Sequence, residues 1–161
     1  MKTPEPQKGN PSAPSSADST TPGRLPKRQN TVTAEVLARL LRGERLTSMD
    51  GVFQASTTRI GATKHSLEKT HGWSVHATDK AAGCNDGRVS WIAEYHLHPQ
   101  AISKAMAAGA AAWCDGVRKA RLERRKKAAE AVREAARLNE ARRSRRQHES
   151  QLSIFFEGPA A

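Results

Sequence analysis

At 161 residues the chain is long enough for one ordinary domain, but a hydrophobic fraction of 37% and a mean hydropathy of -0.71 leave only part of it able to bury a core. Lys and Arg number 27 against 16 Asp and Glu, a net charge of +11 with a pI near 10.4, which calls for a polyanionic partner. The longest apolar stretch, Ala105 to Trp113, is mostly Ala and Gly and falls far short of the ~20 residues that span a bilayer, so a transmembrane role is excluded.

The charge is unevenly placed. Residues 1–33 carry five basic and two acidic side chains, 34–117 nine and eight, 118–149 thirteen and five, and the last twelve Glu157 alone. The middle block is near neutral, as a folding core should be, and the excess sits in one tail where it can follow phosphates. Cys84 and Cys114 are too few and too far apart for a disulfide framework, and no secretory signal is read in the opening residues. Reduced thiols in a cytoplasmic, nucleoid-associated protein are expected.

In chain order, residues 1–32 read as a disordered arm, since six of the eight prolines fall there among Ser and Gly. Its end, Arg24-Leu-Pro-Lys-Arg28, is either a solvated linker or a basic arm for a DNA minor groove. From Thr33, a plausible N-cap, Val36, Leu37, Leu40 and Leu41 share one helical face and Gly43 follows its end. Arg45-Leu46 suits a short edge strand. Thr47-Ser-Met-Asp50 predicts a capped second helix, broken at Ala55-Ser56.

Thr57 to Lys69 predicts a third helix with Ile60 and Leu67 inward and Thr58, Ala62, His65, Ser66 and Lys69 outward, Arg59 at the edge. That outward face is slim, polar and cationic, so it suits the major groove, with Thr57, Thr58, Arg59, His65, Ser66 and Lys69 as candidate DNA contacts. After Gly72 the period switches to two. Trp73 to Ala77 and Val89 to Leu97 predict a hairpin around Gly83 to Arg88, whose Lys80, Asn85 and Arg88 would lie on the DNA backbone.

Pro99 opens a further helix in which Ile102, Met106, Trp113 and Val117 form a stripe for the domain or for a second copy in a homodimer. From residue 118 to 149 the Ala, Glu and Arg content still favours helix but cannot sustain a seam. Arg121, Arg124, Arg125, Lys126 and Lys127 are candidate phosphate contacts there. The expected organisation is an arm (1–32), a winged helix-turn-helix (33–98), a helix with a basic extension (99–149) and a flexible tail (150–161). The fold class is mainly α with a small β-hairpin wing and a long basic C-terminal helix.

Leu46-Thr-Ser-Met-Asp50, Thr57-Thr-Arg-Ile60, Leu67, Gly72-Trp73 and Glu94-Tyr-His-Leu97 resemble a family of small helix-turn-helix proteins of proteobacterial phages and mobile elements, over roughly residues 33–97. The resemblance implies a winged helix-turn-helix that binds double-stranded DNA through its third helix. Gln54 and Lys64 stand where the family tends to carry apolar side chains.

Near the terminus, Gln151, Leu152, Ser153, Ile154 and Phe155 resemble the pentapeptide by which many bacterial replication and repair proteins dock on the sliding clamp, with Ile154 for its usual Leu. The bland alternative is an apolar end that folds back on its own domain. His71, His76, Cys84, His96 and His98 invite a metal, but no pair has zinc-site spacing and a polar strand face explains them equally. No phosphate loop, G-x-S-x-G or paired-acid pattern points to catalysis, so no cofactor and no enzymatic activity are expected. A non-enzymatic DNA-binding regulator or replication accessory is the leading expectation; an adaptor that recruits or competes for the sliding clamp is the alternative.

Overall fold

The computed structural model describes residues 20–156, and their side chains as far as residue 147. The described chain is mainly helical with one small antiparallel sheet. Its first helix, α1 (Val32–Leu41), starts two residues earlier than Thr33 suggests, because Thr31 is extended and its hydroxyl accepts the Ala34 N–H at 3.1 Å. Gly43 follows at φ +81, where a side chain would be strained.

Beyond its apolar stripe, α1 also buries Ala34, Glu35 and Ala38, because a second helix covers its other side. That helix is α5 (Ala110–Lys126), whose Cys114 and Val117 join the core. The two alanines are small enough for the Cys114 thiol to lie 3.9 Å from the Ala38 carbonyl, and burial pushes that thiol's pKa up. Each fully buried Leu of α1, such as Leu37 and Leu41, stabilises the fold by roughly 1.5–3 kcal/mol.

Strand β1 (Leu46–Thr47) leads into α2 (Ser48–Ala55) through the cap read from the sequence, which closes as a capping box: Asp50 N–H donates to the Thr47 hydroxyl and the Asp50 carboxylate accepts the Thr47 N–H. Donation from the Thr47 hydroxyl, then from its N–H, holds the Asp50 carboxyl below the usual carboxylate range. The third helix, α3 (Ile60–His71), begins later than Thr57. The Thr57 hydroxyl accepts the Arg59 N–H, which keeps residues 57–59 in a turn.

Strands β2 (Val75–Gly83) and β3 (Val89–Leu97) form the hairpin, with β3 central in the order β1-β3-β2. Leu46 pairs with Tyr95 and Val75 with Leu97. β2 extends six residues past Ala77 because the turn is tight, Cys84 N–H donating to the Arg88 carbonyl at 2.7 Å. Lys80 therefore stands mid-strand opposite Ile92, not at the tip. Val75 and Leu97 are buried, whereas Val89 and Trp91, on the same face further out, are 72% and 70% exposed. The hairpin projects from the body.

The expected continuous helix from Pro99 is divided. α4 (Pro99–Ala107) is separated from α5 by Ala108 and Gly109, whose φ of +91 turns the chain, and Lys127 separates α5 from α6 (Ala128–Phe156). The deepest residues of α4 and α5 are Ala101, Ala105, Ala110, Cys114 and Val117, with Ile102, Met106 and Trp113 packed at their rim.

The expected arm is corrected over its described part. Residues 20–31 form a strap against the domain, with Pro26 buried and Leu25 packed on the core. The Trp73 indole N–H donates to the Arg24 carbonyl at 3.0 Å, the Trp113 indole N–H to the Pro26 carbonyl at 3.1 Å, and Arg24 N–H to the His71 carbonyl at 2.7 Å. Buried indoles need acceptors, and the strap supplies them. Residues 1–19 and 157–161 lie outside the described residues.

Candidate nucleic-acid interface

α2 and α3 are joined by four residues, with Ser56 left-handed at φ 56 and Thr57 N–H closing onto the Gly51 carbonyl at 3.0 Å. A Cβ on Gly51 would meet the Thr57 carbonyl at 3.3 Å and Ile60 at 3.4 Å, so this glycine lets the helices approach. Ile60, Thr63 and Leu67 anchor α3 inward. Thr58, Arg59, His65 and Lys69 are exposed and Thr57 and Ser66 half-buried, as the helical period requires. Arg59, His65 and Lys69 have no side-chain hydrogen-bond or acidic partner among the described residues, whereas Lys64, on the flank, pairs with Glu68 at 2.8 Å.

The candidate residues of the hairpin differ. Lys80 pairs with Glu94 at 2.8 Å and Arg45 reaches the same carboxylate at 3.2 Å. Hydrogen bonding to Glu94 raises the Lys80 pKa, and hydrogen bonds from Lys80 and Arg45 lower that of Glu94. Arg88 pairs with Asp86 at 2.6 Å, and Asn85 is exposed in the turn. Counting Asp79, residues 75–97 hold three acidic and two basic side chains, so this hairpin is not a basic one.

Arg121 and Arg125 need a correction. Arg121, with a side chain only 9% exposed, donates to the buried Glu35 carboxylate, and Arg125 and Arg39 converge on the same group. Both α5 arginines also reach the end of α2: Arg121 lies 3.4 Å from the Ala55 carbonyl and Arg125 2.6 Å from that of Gln54. They neutralise a buried charge and satisfy the open carbonyls of a helix C-terminus, so Arg121 is not presented to an outside phosphate. Gln54, with an amide bonded to Arg39 and Asp50, belongs to this same chain of contacts. Lys126 pairs with Glu123, whereas Arg124 and Lys127 are exposed without an acidic partner among the described residues.

The strap cations, expected either in a solvated linker or in a basic arm for a minor groove, lie instead beside α3. Arg24, Lys27 and Arg28 are exposed and edge a cleft whose other wall is Ser66, Thr70 and His71 of α3. The signal was Trp73 and Trp113, two indoles within an otherwise aromatic-poor core.

His76 and His96 stack across the strands with ring centroids 5.7 Å apart, and His98 is 6.4 Å from His76. Burial, then the charges of Arg45 and His76, pushes the His96 pKa down. Among the described residues no group of three or more His, Cys, Asp or Glu is placed to hold a metal ion. The described part of the pentapeptide is its backbone, which is helical within α6 where an extended tether is expected; its side chains lie outside the described ones. No described helix is long and apolar enough to cross a membrane.

No family model, no curated protein and no solved structure matches this chain.

Proposed function

We propose that this is a non-enzymatic protein that binds double-stranded DNA, with α2 and α3 as a helix-turn-helix, the hairpin as its wing and α3 in the major groove, acting as a regulator or replication accessory. The observation that carries the reading is the outward face of α3: Arg59, His65 and Lys69 are unpaired beside the small Gly61 and Ala62, while other cations of the same domain are neutralised. Donors free of internal partners can exchange water for base edges and phosphates, and small neighbours let the helix sit deep. The order of three helices followed by a hairpin, with β1 on the sheet edge, supports the winged arrangement. Exposed cations at the end of α5 add affinity that does not depend on sequence.

The test is to replace Arg59, His65 and Lys69 together by Ala and select preferred duplexes with both proteins. Each base that the variant no longer reads should cost roughly 1–3 kcal/mol of discrimination. Unchanged affinity and sequence preference would overturn the reading, and the exposed positions of these side chains make misfolding of the variant a poor explanation.

A further inference from the structure

The cations of the helix-turn-helix region fall into two sets. Lys64 on one flank of α3, and Lys80 and Arg88 on the hairpin, each hold a carboxylate within 2.8 Å. On the other flank Arg24, Lys27 and Arg28 project from the strap with no acidic partner among the described residues. At about 100° per residue, Ser66 and Thr70 line that flank of the outward face, and Lys64 and Glu68 lie on the opposite one.

We infer that the strap, rather than the hairpin, is the phosphate-binding flank of α3, and that the cleft between Arg24, Lys27, Arg28, Ser66 and Thr70 takes a phosphodiester of the DNA backbone. This rests on the reading of α3 as the groove-binding helix. A phosphodiester offers acceptors only, and the cleft offers guanidinium, ammonium and hydroxyl donors. The strap is also held in place: the Trp73 and Trp113 indoles fix the carbonyls on either side of Leu25, which packs on the core. The cationic side chains therefore leave a fixed backbone, which reduces the ordering cost of binding. The hairpin has the opposite character, with paired charges and the exposed, apolar Val89 and Trp91 near its tip.

Two variants of the full chain separate the elements: Arg24→Gln with Lys27→Gln and Arg28→Gln in the strap, and Lys80→Gln with Arg88→Gln in the hairpin. Binding to a mixed-sequence duplex is measured across a salt series. The strap variant should lower the slope of log K against log salt by about 0.9 for each phosphate it no longer neutralises, about two to three phosphates in all, and the hairpin variant should leave it nearly unchanged. Exchanging Lys and Arg at the three strap positions should keep the slope, which separates charge from folding. A strap variant with the parental slope, or a steeper fall in the hairpin variant, overturns the inference. If the Arg59, His65 and Lys69 replacement changes sequence preference while the strap slope is intact, only the strap assignment fails. Absence of duplex binding by the parental chain would overturn both.

Discussion

Glu35 shows how far one side chain can redirect a run of charge. It lies among the apolar residues of α1, 5% exposed, and draws Arg39, Arg121 and Arg125 onto one carboxylate. In the sequence, Arg121 and Arg125 are two cations in a cationic stretch, and nothing local marks them as internal. Their shared partner is some ninety positions away and only the packing of α5 on α1 joins them. An ion pair at this depth gains little over apolar packing, but removing one member leaves the others uncompensated. Glu35→Ala should therefore destabilise the protein by about 3–5 kcal/mol in chemical denaturation, with Arg121 left buried beside a void. A loss below about 1 kcal/mol would mean that the arginine swings out to solvent with little cost.

At the scale of elements, what could be read depended on whether an element's cause was local. The α2 cap, the start of α4 at Pro99 and the course of β3 were all legible, because Thr47 with Asp50, the proline ring, and the period of two act within a few residues. The break at Gly109 was obscured by alanines, which favour helix on both sides of it. The strap was hidden for another reason: its own composition is that of a linker, and its anchors are the indoles of Trp73 and Trp113. Gly23 tests the account. A Cβ there would lie 2.4 Å from the His71 carbonyl oxygen and 2.7 Å from the Trp73 nitrogen, both backbone atoms that cannot move aside. Gly23→Ala should lift the strap, cost about 1–3 kcal/mol, and make residues 20–31 a new site of limited proteolysis. A variant as protease-resistant and as stable as the parent would show that the strap contributes no stability.

For the whole molecule, the tail proves to be two regions of different charge. Residues 118–127 hold seven basic and one acidic side chain, and residues 128–149 hold six and four, so most of the excess lies at the end of α5. Along α6, Arg137 pairs with Glu134 at 2.8 Å and Arg143 with Glu140 at 3.2 Å, which reduces its attraction for phosphates further. At 1.5 Å per residue α6 is a rod of roughly 44 Å whose described side chains, 128–147, are exposed, a spacer more than a polycation. A deletion test of the tail must begin after Lys127, because Val117 and Arg121 belong to the folded domain. Removing 128–161, which holds six basic and five acidic side chains, should lower the salt slope of duplex binding by no more than about 1, the net charge removed with it, whereas replacing Arg118, Lys119, Arg124 and Lys127 by Gln should lower it by about 3–4. Both slopes come from the same titration across ionic strength, with thermal midpoints confirming an intact domain. If the deletion abolishes most of the slope and the four replacements do not, the DNA follows α6, and its paired arginines exchange Glu134 and Glu140 for phosphates on binding.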